Sequence, residues 1–146
     1  MGGNAFPQTE RIDLQTYNSI GSDLIYSLNA YLMMQRKFQE EPSEDQNKHS
    51  YWQQEQHPYY FGIVRHYGTK QDFGDMDLIG TVPKETILNF FKSNKVFNVL
   101  GVKNHPNELN FCVRDSKTGK TVQIDYIYTD EAYFEFAYNY YAFNDL

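Results

Sequence analysis

Three carboxylates carry the most pointed chemical signal in this chain. Asp75 and Asp77 sit one residue apart in "GDMDLIG", and Asp125 interrupts the apolar run "VQIDYIY". A strand alternates its faces, so Asp75 and Asp77 are expected on one face, with Met76 and Leu78 turned into a core. In the second run, Val122, Ile124, Tyr126 and Tyr128 share a face and Asp125 falls on the other, among otherwise apolar neighbours. An unpaired charge inside a strand is costly. If the two strands are neighbours, the three carboxylates converge and a cation between them relieves the repulsion.

Oxygen donors of this kind suit the hard ions Mg²⁺ and Mn²⁺, which keep waters and accept phosphate oxygens as further ligands. Two such ions about 3.5–4 Å apart clamp the attacking and leaving oxygens of an in-line phosphoryl displacement. The bland alternative is that Asp75 and Asp77 end a strand and cap a turn. Asp125, placed in a second hydrophobic strand, weighs against it.

The elements that must position these groups follow from the spacing. Leu14, Tyr17, Ile20, Leu24, Leu28 and Leu32 recur every three or four residues, which predicts a helix with Asp13 as its N-cap. Residues 36–57 are almost wholly polar and read as a solvated loop, with a lid over a site or a frayed helix end as alternatives. "YYFGIVRHYG" and "DMDLIGTV" read as strands. "PKETILNFFKSN" reads as a helix with Pro83 in its first position. "ELNFCVRDSKTGKTVQIDYIYTD" reads as a hairpin whose turn uses Gly119 at positive φ, and "DEAYFEFAYNYYAF" as a short aromatic helix. The order helix, strand, strand, helix, strand, strand, helix predicts an α+β domain with a mixed sheet and helices mainly on one face.

Composition sets the outer limits. The 146 residues fit one domain, and 40% hydrophobic with 17% aromatic residues argues against disorder. A net charge of −6 offers no basic footprint for long nucleic acid. The single Cys112 points to a reducing compartment. No stretch approaches the roughly 20 apolar residues of a membrane span, and the start lacks a signal-peptide pattern, so the expected location is cytoplasmic.

"GDMDLI" resembles the G-D-x-D signature of the polymerase-β-like nucleotidyltransferase superfamily, with "QIDYI" as its third-carboxylate strand. "GGNAFPQTERI", "YGTKQDFGDMDLI", "VQIDYIYTD" and "FEFAYNYYAFNDL" are similar in content and order to viral and phage-type nucleotidyltransferases. The resemblance implies transfer of a nucleoside monophosphate from an NTP to a hydroxyl acceptor with release of pyrophosphate. A viral protein of this kind would act in the host cytoplasm. The acceptor stays open between an RNA end, a protein hydroxyl and a small molecule. Residues 1–146 would form one catalytic domain at the N-terminal side of a longer protein, with a C-terminal domain beyond.

In that scheme Asp75 and Asp77 bind both metals, and Asp125 binds the catalytic one and helps activate the acceptor. Gly74 permits the tight approach to the first carboxylate. The superfamily's Gly-Ser phosphate holder is replaced by "YGTK", so Gly68 and Thr69 are the nearest stand-ins, at a short spacing. Lys70 suits a triphosphate, and Arg65, in an apolar strand, wants an anionic partner. Gly2 and Gly3 before Asn4 could bring backbone N–H groups to an anion, against the plain reading of a mobile terminus. Arg11 and His66 are more ordinary surface or satisfied residues. The alternatives to an enzyme are a non-catalytic nucleotide-binding domain and an interaction protein whose aromatic helix docks a partner.

Overall fold

The computed structural model describes residues 5–39, 58–64 and 72–144. It is an α+β fold. A five-stranded mixed sheet runs in the order β2 (Phe61–Ile63), β4 (Met76–Gly80), β7 (Thr121–Tyr128), β6 (Glu108–Asp115), β5 (Phe97–His105). A small antiparallel pair joins β1 (Ile12–Asp13) to β3 (Asp72–Phe73). The helices are α1 (Leu14–Gln39), α2 (Lys84–Ser93) and α3 (Phe134–Asn144), the last preceded by a 3₁₀ turn at Glu131–Tyr133.

Local chemistry sets the boundaries. Asp13 caps α1, its Oδ1 accepting the Thr16 N–H at 2.8 Å. Hydrogen bonds from Thr16 hold the Asp13 carboxyl below its ordinary range. The helix extends to Gln39, so residues 36–39 of the expected polar loop are helical, and residues 40–57 lie outside the described residues. Pro83 stands one position earlier than expected. With ψ at 141° it is the N-cap of α2, and its carbonyl accepts the first helical bond, from Ile87 at 3.1 Å. Asn94 ends that helix by donating to the Phe90 and Phe91 carbonyls while its Oδ1 receives the N–H groups of Val96 and Phe97. Those bonds aim the chain directly into β5.

Strand β5 was not expected. Its alternation is broken by an irregularity between Val99 and Gly101, and its end, Lys103 to His105, is polar. The hairpin from β6 to β7 is as expected, with Gly119 at φ 75° and the turn tied by Asp115 Oδ2, which accepts from Thr118 N–H and hydroxyl.

One face of the sheet carries the main core. Met76 and Leu78 of β4, Ile124 and Tyr126 of β7, and Leu109 and Phe111 of β6 are buried there. Ile20, Leu24 and Leu28 of α1 and Ile87, Phe90 and Phe91 of α2 pack on them, with Phe91 stacked on Phe111 at 4.1 Å. The Tyr126 hydroxyl donates to the Val82 carbonyl at 2.6 Å, and burial raises its pKa. The opposite face is covered in two separate places. Near β2, Val64, Ile79 and Ile127 pack with Phe134 and Ala137 at the start of α3. At the other side, the buried Phe6 ring lies against Gly101. Two helices thus cover the core face and the third covers part of the other.

Gly80 of β4 pairs with Phe61 of β2 and leaves no room for a side chain. A Cβ there would lie 2.8 Å from Phe61 Cβ and 2.9 Å from the Tyr60 carbonyl oxygen. Gly80→Ala is therefore expected to lower stability by about 1–3 kcal/mol through overpacking, measured as a lower urea midpoint with an unchanged m-value. A wild-type midpoint would show that the edge strand yields freely.

Candidate metal centre

The carboxylates come together because β4 and β7 are adjacent and parallel, with Asp77 directly paired to Asp125. Paired residues of neighbouring strands project from the same face. Burying Met76, Leu78, Ile124 and Tyr126 on the core face turns Asp77 and Asp125 to the other. Asp75, two residues before Asp77, joins them from the start of the strand. One oxygen from each of the three lies within 4.8 Å of the others, and no other such acidic group occurs among the described residues.

Asp125 is the unusual member. It is only 1% exposed. Its Oδ1 accepts two amide donors, Asn110 Nδ2 at 2.7 Å and Gln123 Nε2 at 2.9 Å. Its Oδ2 is buried with no hydrogen-bond partner. Burial is the main cause that pushes this carboxyl up to about 8. Asp75 adds to the shift by hydrogen bonding with the protonated form and by its charge, against the two amides. The Asp75 bond exists only while a proton is held, so ionised Asp125 leaves Oδ2 unpartnered. Asp115 Oδ1 is also buried without a partner, but Asp115 ends β6 and belongs to no such acidic group among the described residues. Three convergent carboxylates with an orphaned buried oxygen fit a hard divalent cation, whose ligands are oxygens and which relieves both burial and repulsion.

The neighbours of Asp125 are mixed rather than wholly apolar, which corrects part of the expectation from its strand: Ile127 on the same face is apolar. Gln123 shares its face two residues away, and Asn110 is its partner across β6. Asn110 also donates to Glu108 Oε2 at 2.8 Å. Gln123 could have been found from the alternation of "VQID". Asn110 and Glu108 could not, because they depend on the register of β6 against β7.

Gly74 lies partly buried immediately before Asp75. Arg11 is exposed beside β1. Gly2, Gly3, Asn4, Arg65, Gly68, Thr69 and Lys70, with His66, lie outside the described residues. Ala5, next after Asn4, is placed: its N–H donates to Gln123 Oε1 at 3.2 Å.

No protein-family model matches this chain, and no curated protein gives a match. The site therefore has to be read from its own geometry. A groove of about 1210 Å³ lies elsewhere, along β2 between α1 and α3, lined by aromatic and aliphatic side chains such as Tyr59, Phe61 and Tyr138. Among the described residues its lining includes no Asp, Glu, Lys, Arg or His. No helix among the described residues is long and apolar enough to cross a membrane.

The raised Asp125 pKa has a consequence for stability. The folded state holds a proton that the unfolded chain, near 3.8, releases earlier. The associated stability is full below about pH 4 and is lost as pH rises towards 8. In metal-free protein Asp125→Asn is expected to raise the melting temperature at pH 8, by on the order of a few kcal/mol in stability, and to flatten its decline between pH 5 and 8. The Asn keeps an acceptor for both amides and replaces the orphaned oxygen with a donor. A variant that melts with the wild-type pH profile would show that Asp125 is ionised and satisfied in some other way.

Proposed function

We propose that the protein is a metal-dependent nucleotidyltransferase of the polymerase-β-like kind, transferring a nucleoside monophosphate from an NTP to a hydroxyl acceptor. The observation that carries this reading is the convergence of Asp75, Asp77 and Asp125 from two adjacent strands, with one buried carboxylate oxygen left unpartnered. The resemblance of "GDMDLI" and "QIDYI" supports the same assignment.

Asp75, Asp77 and Asp125 would hold a pair of Mg²⁺ or Mn²⁺ ions, which when bound supply the positive charge that offsets the phosphate charge in the transition state. Asp77 and Asp125 are held by the strand pairing, so their spacing is set before substrate arrives. Asp125, whose Oδ1 is already occupied by two amides, would offer Oδ2 to the catalytic cation and in that way help activate the acceptor hydroxyl, whose proton passes to solvent. The acceptor oxygen then attacks the α-phosphorus, the α–β bridging bond breaks, and pyrophosphate leaves with that electron pair. A bulk charge of −6 favours a short or small acceptor over long duplex, and the cytoplasm, that of the host for a viral protein, is the compartment that suits this chemistry and the single thiol.

The test is pyrophosphate release from each NTP with Mn²⁺, offered RNA ends, protein extract and small-molecule hydroxyls as acceptors. Asp77→Asn is expected to cut transfer by about 10²–10³ or more with an unchanged or higher melting temperature, since it removes repulsion while keeping size. Full activity in that variant overturns the mechanism. Mn²⁺-dependent NTP binding without pyrophosphate from any acceptor would favour a nucleotide-binding domain.

Metal binding should also depend on the nucleotide. Calorimetry is expected to show tighter Mn²⁺ binding in the presence of a non-hydrolysable NTP, because phosphate oxygens complete the coordination. Equal affinity with and without it would separate the metal site from nucleotide binding.

A further inference from the structure

Gln123 does more than border the carboxylates. It is 2% exposed and bonded at both ends. Its Oε1 accepts the Ala5 N–H at 3.2 Å, and its Nε2 donates to Asp125 Oδ1 at 2.9 Å. A backbone N–H can only donate and an ionised carboxylate can only accept. The primary amide satisfies both because it has one acceptor and one donor end. Seating Ala5 on Oε1 therefore reinforces the orientation in which Nε2 meets Asp125. Without that N–H the amide loses its anchor at Oε1, and its bond to Asp125 is left to hold the side chain alone.

The segment bearing Ala5 is anchored independently of the acids. The Phe6 ring fills the space left by Gly101, where a Cβ would come within 3.1 Å of it. Lys103 lies over that ring at 5.1 Å and its Nζ donates to the Ala5 carbonyl. A turn follows, with the Thr9 N–H and hydroxyl both donating to the Phe6 carbonyl. Glu10 then pairs with the start of β7, its N–H donating to Thr121 and its carboxylate receiving the Thr121 N–H. The Ala5 N–H is thus delivered to Gln123 by anchors on β5 and at the start of β7, the strand that carries Asp125.

We propose that Gln123 is a positioning residue that couples the seating of the N-terminal segment at Ala5 to the cation-binding geometry of Asp125. This rests on the reading of the three carboxylates as a metal site. The amide holds Oδ1, so Oδ2 is the oxygen presented to the cation. Outer partners that orient metal ligands are worth about 10- to 100-fold in affinity. Seated and unseated N-terminal segments then correspond to stronger and weaker metal sites.

The experiment measures Mn²⁺ affinity of the full chain by electron paramagnetic resonance, without nucleotide, for wild type, Ala5→Pro, Gln123→Met and the double variant. Ala5→Pro removes one N–H and leaves every side chain of the site in place. It is expected to weaken Mn²⁺ binding about 3- to 10-fold, the size of one hydrogen bond, with the melting temperature close to wild type. Gln123→Met keeps the volume and is expected to cost about 10- to 100-fold. The double variant should be no weaker than Gln123→Met alone, because both changes break one chain of contacts. Wild-type affinity in Ala5→Pro, or effects that multiply in the double variant, would overturn the coupling while leaving the metal site intact. Absence of Mn²⁺ binding by wild type would overturn the metal reading and the coupling together. If Gln123→Met fails to fold, the Ala5→Pro affinity decides alone.

Discussion

The burial of Asp125 is the constraint around which this structure is arranged. A carboxylate that is 1% exposed in the central strand of a sheet must be hydrogen bonded, protonated or paired with a cation. Here one oxygen has two amide donors and the other has none, and two more carboxylates, Asp75 and Asp77, lie close by. That is an unfavourable arrangement for stability alone. A strand built for packing would place a Val or Ile at this position, as it does at Val122, Ile124 and Ile127. The polar surroundings are selective: Asn110 and Gln123 are donors aimed at a single oxygen, and they leave the other available.

The sheet supplies the rigidity that such a cluster needs. β7 is central, paired parallel to β4 and antiparallel to β6. The core face below it is filled by Ile124 and Tyr126 against α1 and α2, so neither strand can slip by one residue without turning its apolar side chains to solvent. Register on the core face thereby sets the spacing of acids on the other. On that second face the described residues provide two covers, α3 over Val64, Ile79 and Ile127 on one side and the Phe6 segment over Gly101 on the other.

Much of the arrangement was legible in the chain. The helical spacing from Leu14 to Leu32, the Asp13 cap, the β6–β7 hairpin with Gly119 and the inward turn of Met76 and Leu78 all rest on local periodicity and turn chemistry. Strand β5 was not legible, because the irregularity at Val99 to Gly101 breaks its alternation and its polar end runs along a sheet edge where side chains face water. The pairing of β1 with β3 was missed as well. Two-residue strands have no periodicity to detect. Pro83 was misplaced by one residue because an N-cap and a first helical position share the same φ and differ in ψ.

For the site, the sequence by itself determined the identity of the three acids and the face that each would take on its own strand, since both follow from alternation within a few residues. It also determined that Gln123 shares the face of Asp125. Only the tertiary structure decided that β4 and β7 are parallel neighbours in the register Asp77 to Asp125, because the intervening helix and two strands separate them in the chain. Only it brought Asn110 to Oδ1, Glu108 to Asn110 and the Ala5 N–H to Gln123. These contacts span from 15 to 118 positions of sequence, or join neighbours whose directions depend on cross-strand packing. Periodicity gives each side chain a direction within its element, whereas the relative placement of elements comes from burying the core face as a whole.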